Sequence, residues 1–363
     1  MLWALLFATV ATIIFQEMAS RVGIVSGKGL GENIRDRIPN KTLMWIAIVI
    51  VIIAIFVGNI AYETGNITGG ILGIQAVTPD IPMIPIVVVL GLLAFAAMWI
   101  GSYKVVEVIL TGIVVFMGVV FLVTAFASSP DWGAIAHGLF VPALPEEGSK
   151  GILTAVGLIG TTIVPYNLFL HASGASERFK DPEQVSDARF DTILSIGLGG
   201  IISMAILVCA AANIYGTENV VTTGQAMALA LQPLLGLLAA GFSSAITASF
   251  SAAYAVNGVL GWKKTVKDLR FKIIWIIVLV AGCVMAVVLG KSPTELILVA
   301  QAANAILLPI MAFFVLYCAN GKDLGKWKNH AFANCAGVVI IVITLFMCWR
   351  NMSSFISSLQ ALV

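Results

Sequence analysis

Long continuous apolar runs separated by short polar stretches dominate this chain. A bilayer core needs about 20 apolar residues per helix. Runs of that kind fall at about 2–20, 43–72, 83–101, 104–128, 151–174, 191–215, 225–260, 272–290, 293–318 and 331–350. None alternates at period two, as a transmembrane strand would, so each predicts a helix. The longer ones are expected to tilt, break or extend beyond the bilayer. The predicted fold class is an all-α polytopic membrane protein with ten spans.

Composition supports this. Apolar residues make up 60% of the 363 and charged residues 10%, against about 45–50% and about 25% in soluble proteins. Too few polar side chains remain to cover a water-facing surface. A soluble enzyme, a disordered chain and a fibrous protein are excluded. The net charge of +2 gives no electrostatic footprint for nucleic acid. Five cysteines in apolar stretches, without CxxC spacing, predict neither a disulfide framework nor a zinc site. There is no Walker loop, GxSxG elbow or HExxH. Neither an enzyme nor a resident cofactor is expected.

Lys and Arg set the orientation, because cytoplasmic loops carry the excess. With the loops numbered in order, the first, third, fifth, seventh and ninth hold seventeen of the twenty; Lys150, Lys291 and Arg350 are the other three. The rich side is read as cytoplasmic, which puts both ends of the chain outside. An outward N-terminus is unusual for a chain that begins in an apolar run. Met1 to Phe15 has no positive n-region, so a cleaved signal peptide is not expected. The simpler account is that one helix preceding Met1 is missing.

Polar groups at membrane depth cost several kcal/mol unless paired or facing water, so they mark the candidate site. In the fifth span, Gly160-Thr161-Thr162-Ile163-Val164-Pro165-Tyr166-Asn167 places a proline, which removes a backbone donor, after a glycine and two threonines. Two readings stay open. One is an ordinary proline kink; the other is a broken helix whose freed carbonyls, at the negative dipole end, suit a cation. In the second span, Asn59, Tyr62, Glu63 and Asn66 share one helix face at spacings of three and four. That stripe is read as the lining of a watery path in preference to an exposed loop. In the ninth span, Gln301 and Asn304 share a face, either as site lining or as interhelical hydrogen bonding. Ser243, Ser244, Thr247, Ser249 and Ser251 are read as small residues that let helices pack closely.

The fifth span also carries a resemblance. Val164-Pro165-Tyr166-Asn167-Leu168-Phe169-Leu170-His171 resembles the Met-Pro-His-Asn-Leu-Tyr-Leu-His signature of the NRAMP divalent-metal transporters. Gln16 to Glu32 resembles the family's second helix and the loop after it, Asn59 to Gly65 its acidic third helix, and Ala300-Gln301 the Ser-Gln of its tenth. By this register the ten spans are family helices two to eleven. Residues 1–363 then form a single transmembrane transporter domain lacking the first helix and its Asp-Pro-Gly-Asn metal motif.

The resemblance implies a LeuT-like fold of two inverted repeats. It implies a metal site at Thr161, Val164, Gln301 and Glu63, with a substrate path along Asn59, Tyr62, Asn66, Tyr166, Asn167 and Asn304. The family's metal-binding methionine is replaced by Val164, its coordinating alanine by Thr161 and its histidine by Tyr166, while Asn59 and Tyr62 align with acidic positions. Tyr and Asn do not titrate near neutral pH. Without the thioether the site suits harder ions, and Mg²⁺, which sheds water reluctantly, needs a roomy oxygen-lined site. The pattern resembles the NRAMP-related magnesium transporter branch.

The expected function is therefore a divalent-cation transporter or uniporter, for Mg²⁺ with Mn²⁺ tolerated, without obligate proton coupling. The alternatives are a proton-coupled Mn²⁺/Fe²⁺ importer and an amino-acid or organic-cation carrier on the same fold. A non-transporting scaffold is the alternative from a third class. The expected partners are a divalent metal ion and the lipid bilayer, the expected state a monomer and the expected location a bacterial plasma membrane.

Overall fold

The computed structural model describes residues 1–100, 103–144, 149–214, 234–262, 265–289 and 307–360. Every predicted span corresponds to helix among them. In order these are α1 (Leu2–Ser26), α2 (Leu30–Arg37), α3 (Lys41–Val77), α4 (Met83–Trp99), α5 (Tyr103–Ala127), α6 (Trp132–Phe140), α7 (Ser149–Thr162), α8 (Pro165–Arg178), α9 (Val185–Ile214), α10 (Leu234–Leu260), α11 (Leu269–Leu289), α12 (Leu307–Ala319) and α13 (Ala331–Gln360). The fifth predicted span is two helices, α7 and α8. The short helices α2 and α6 were not predicted from the apolar runs.

Local chemistry sets several ends. Gly27, in the left-handed region at φ 65°, stops α1, a conformation glycine adopts without steric cost. The Asn40 side chain starts α3 by accepting from the N–H groups of Thr42 and Leu43, and Asp131 does the same for α6 at Gly133 and Ala134. Such caps satisfy donors a helix start leaves free. Between α5 and α6 the chain turns by 120°.

Helix α3 has 37 residues, or about 55 Å at 1.5 Å per residue. This exceeds the roughly 30 Å hydrocarbon core, so it crosses at a tilt or projects beyond it. Its faces divide sharply. Trp45, Val49, Ile53 and Val57, four residues apart, are each half exposed, whereas Ile48, Val51, Ile55, Asn59 and Glu63 are buried. In water the first stripe would be an unpaid liability; in a bilayer it faces lipid while the polar groups turn inward.

The buried face of α3 packs along α10, and α11 lies against both. At one α3–α10 crossing a Cβ on Gly241 would sit 2.6 Å from the Asn66 carbonyl oxygen and 2.7 Å from the Gly70 nitrogen. The two backbones touch, and only glycine fits. On the other side of the bundle α1 packs against α7, α8 and α9. Phe15, Phe169, Tyr254, Phe271 and Trp275 are fully or almost fully buried in the core.

One end of the bundle gathers the basic loops. Glu17 of α1 pairs with Arg21 at 3.0 Å and with Arg189 of α9 at 2.9 Å. Arg21 also donates to the Trp327 carbonyl and to Asn329 Oδ1. Arg37 binds the Cys318 carbonyl and Asp323, and Lys326 pairs with Glu183. Lys272 sits 3.9 Å over the Trp99 ring, and Gly31 of α2 abuts Val259 of α10. The first, third, fifth, seventh and ninth loops thus meet at one end, as the Lys and Arg asymmetry predicts. At the other end the Trp3 indole donates to the Ala143 carbonyl.

The Glu17–Arg21 pair is nearly buried, with side chains 16% and 6% exposed. Removing Arg21 leaves Glu17 only the half-exposed Arg189 and frees the Trp327 and Asn329 acceptors, and losing one partner of a buried pair costs up to about 3–5 kcal/mol. Arg178–Asp191 is largely exposed, and such pairs contribute about 0–1 kcal/mol. Arg21→Ala should therefore lower the midpoint of thermal unfolding in detergent by several degrees, and Arg178→Ala should hardly move it. Equal effects in the two variants would show that the buried network is not holding α1 to α9 and the 321–330 segment.

Candidate functional site

The site begins with the interruption between α7 and α8. The Ile163 N–H still donates to the Ile159 carbonyl at 3.1 Å, completing the last turn of α7. Val164 is then extended, at φ −97° and ψ 124°, and Pro165 opens α8 as its first residue, where its lack of an N–H costs nothing. In an unbroken helix the donor to the Thr161 carbonyl would be residue 165, and proline has none to give. The threonine hydroxyls are tied back, both donating to the Leu158 carbonyl at 3.0 Å. The Thr162 carbonyl receives Thr12 Oγ1 at 3.5 Å. The group presented at the negative end of α7 is thus backbone oxygen at Thr161, beside a Val164 side chain that is 7% exposed. Of the two readings of this segment, the broken helix is the one found.

The polar stripe on α3 lies within helix; the exposed-loop alternative fails because α3 continues to Val77. Asn59 and Glu63 are fully buried. Both amide atoms of Asn59, Oε1 of Glu63 and Nδ2 of Asn66 are buried and find no hydrogen-bond partner among the described residues. Buried polar groups without partners are rare because each forfeits its hydration.

Stripe and break meet through an aromatic pair. The rings of Tyr62 and Tyr166 lie 5.3 Å apart, edge to face at 78°. Glu63, the next residue, packs against α10 and α11. Its Oε2 accepts from Ser249 Oγ of α10 at 3.4 Å, and a Cβ on Gly282 of α11 would fall 2.2 Å from its Cγ. The carboxylate is therefore wedged where α3, α10 and α11 cross, directly against the α11 backbone. Any side chain at 282 would displace it.

The predicted residues are thus distributed as follows. Thr161, Val164, Tyr166 and Asn167 surround the break, with the Asn167 N–H donating to the Val164 carbonyl at 3.2 Å. Tyr62 joins them from α3, while Asn59, Glu63 and Asn66 extend along the same stripe. Gln301 and Asn304 lie outside the described residues. Among the described residues no three His, Cys, Asp or Glu side chains converge. The oxygens available here are carbonyls, hydroxyls, amides and one carboxylate, the hard donors that suit Mg²⁺, Ca²⁺ or Mn²⁺.

Two participants escaped the sequence reading. Ser243, Thr247 and Ser251 bond back to their own helix, as packing residues do. Ser249 instead reaches Glu63, 186 positions away in sequence. Gly282 had no visible role until α11 was placed against α3. Neither pairing has a local signal, because helix spacing says which residues share a face and not which helix that face meets.

Comparison with known proteins agrees with this architecture. A family model described as natural resistance-associated macrophage protein-like, Nramp, matches residues 1–354. The chain is 24% identical to the divalent metal cation transporter MntH of Yersinia pestis (strain Pestoides F) over 369 residues, covering 95% of this chain and 85% of that protein. It is also 24% identical to MntH of Caldanaerobacter subterraneus subsp. tengcongensis over 368 residues, covering 96% and 84%.

Among solved structures, a mutant of the Eremococcus coleocola manganese transporter superposes with a TM-score of 0.74 at 21% identity, over 97% of this chain and 79% of that one. MhsT, in complex with L-phenylalanine, superposes with a TM-score of 0.58 at 14% identity, over 95% and 91%. These likenesses give the fold, an all-helical LeuT-like transporter architecture. With the family model matching nearly its whole length, the chain belongs to the Nramp family of integral membrane proteins.

Proposed function

We propose that this protein carries divalent metal cations across the membrane, with Mg²⁺ preferred, Mn²⁺ tolerated and no obligate proton coupling. Nramp proteins are metal transporters and not enzymes, and the relatives named above are transporters of divalent metal or manganese. The observation that carries the finer reading is the α7–α8 break. It presents the Thr161 carbonyl at a negative helix end with Val164, an apolar side chain, beside it. An ion held there meets oxygen without sulfur, which removes the advantage of softer transition metals. Gln301 is assigned to the ion from the ninth span, and Glu63 acts from farther off through the ion's water shell, since Mg²⁺ usually keeps several waters. Asn59, Tyr62, Asn66, Tyr166, Asn167 and Asn304 line the route to it. Tyr62 and Tyr166, phenols in place of carboxylate or imidazole, occupy the contact between stripe and break.

Selectivity is the first test. Val164→Met restores a thioether, so Cd²⁺ and Mn²⁺ uptake into proteoliposomes should rise relative to Mg²⁺. An unchanged ratio would remove Val164 from the site.

Coupling is the second. Metal uptake should leave the pH of the vesicle lumen unchanged. Metal-dependent acidification that disappears in Glu63→Gln would overturn the uncoupled reading in favour of a proton-coupled Mn²⁺/Fe²⁺ importer.

The third test separates backbone from side chain. Thr161→Ala should keep most transport, because the carbonyl survives the substitution. Gln301→Ala should weaken it. Glu63→Gln should lower uptake of every divalent ion about tenfold at subsaturating concentration, the order expected for losing one charge several ångströms from a dication. Full activity in both Gln301→Ala and Glu63→Gln would dismiss the proposed site.

A further inference from the structure

Away from the break, at the basic end of the bundle, a groove of about 820 Å³ runs between the α2–α3 link and the end of α12, lined among others by Arg37, Pro39, Phe313, Leu316, Tyr317 and Lys322. These residues are ordered by depth. Helix α12 ends at Ala319, next to the loop at the basic end, so Phe313 lies about 6 Å deeper than Tyr317 at 1.5 Å per residue. Phe313 is 56% exposed and Tyr317 40% exposed on the outside of the bundle, and their rings stack at 6.5 Å. Tyr317 donates to the Arg37 carbonyl at 2.9 Å, which puts its hydroxyl at the water interface, the level where amphipathic rings collect.

Above that level the groove turns cationic. Arg37 is held in place by the Cys318 carbonyl and Asp323. That carboxylate also lines the groove and offsets Arg37. Lys322 is exposed and forms no ion pair among the described residues. Lys41, also exposed, follows Pro39 by two residues, within about 7 Å of chain. The rim is therefore positive and the floor apolar and lipid-facing, in the order in which a phospholipid presents its phosphate and its upper acyl chain.

We propose that this groove binds an anionic phospholipid of the cytoplasmic leaflet, its phosphate at Lys322 and its upper acyl chain along Leu316 and Phe313. Basic pockets on the cytoplasmic side of membrane helices recognise such headgroups, and each nearby Lys or Arg contributes enough to change affinity about fivefold.

Purified full-length protein in detergent provides the test, with thermal unfolding and native mass spectrometry as readouts. Phosphatidylglycerol should raise the unfolding midpoint and remain bound in the mass spectrum. Phosphatidylcholine should do neither, and inorganic phosphate at the same concentration should have no effect. Lys322→Gln should weaken phosphatidylglycerol binding about fivefold and Lys322→Glu more, whereas Lys267→Glu, an exposed residue of the same end outside the groove, should leave it unchanged. Equal stabilisation by the two lipids would overturn the proposal, as would stabilisation by phosphate alone or equal losses in the Lys322 and Lys267 variants. Because the readout is lipid binding, it holds whether or not the transport reading does.

Discussion

A carboxylate cannot be left alone in hydrocarbon, and much of this structure is arranged around that constraint. Glu63 sits mid-helix on α3, fully buried, at a depth where a charged group costs about 2.5 kcal/mol or more even by the most lenient scales. Among the described residues no counter-ion faces it, and it is accommodated by geometry. Ser249 of α10 supplies one long hydrogen bond, and Gly282 of α11 gives up its side chain so that the carboxylate stem lies against backbone. The same face holds Asn59 and Asn66, with polar atoms likewise unpartnered among the described residues. Packing that serves stability alone would replace such groups with leucine, since an unmade hydrogen bond costs about 1–3 kcal/mol. Their presence is a reason to assign α3 to function.

The break between α7 and α8 answers the same constraint from the backbone side. Irregular backbone is tolerated at membrane depth only where protein or a watery cavity covers it. Here α1 provides cover, with Thr12 reaching the Thr162 carbonyl, while Tyr166 meets Tyr62 across from α3. The interruption thus touches both the α1 side and the α3 side of the bundle.

How much of this was legible in the sequence follows from the range of each interaction. Continuous apolar runs are local, so the spans were readable. The Lys and Arg asymmetry sums over whole loops, so the gathering of these loops at one end was readable too, and the contacts of Glu17, Arg37, Lys272 and Lys326 bear that out. Helices α2 and α6, at 8 and 9 residues, are too short to leave an apolar run of membrane length, so they were missed. The position of the break was visible because proline acts on its own backbone; that it was a break and not a kink depended on the extended Val164, which no spacing encodes. Ser249 and Gly282 were illegible for the opposite reason: their roles exist only because α10 and α11 are brought against α3.

The charged end of the bundle shows how one set of residues serves orientation, cohesion and contact with lipid together. Arg21 and Arg37 belong to the basic excess gathered at one end of the bundle, yet both are nearly buried, and their guanidinium groups hold backbone carbonyls at Trp327 and Cys318. Arginine suits this because its planar fork binds several acceptors at once and stays charged when desolvated. Lysine at either site would give a single point of attachment. The lysines instead lie outermost, at 41, 322, 326 and 328, all exposed. A compact, strongly hydrated ammonium is costly to bury and inexpensive to keep at the surface. The division of labour between arginine inside and lysine outside therefore follows from hydration. It leaves the inner arginines committed to the fold and Lys322, which forms no ion pair among the described residues, available to what the membrane presents.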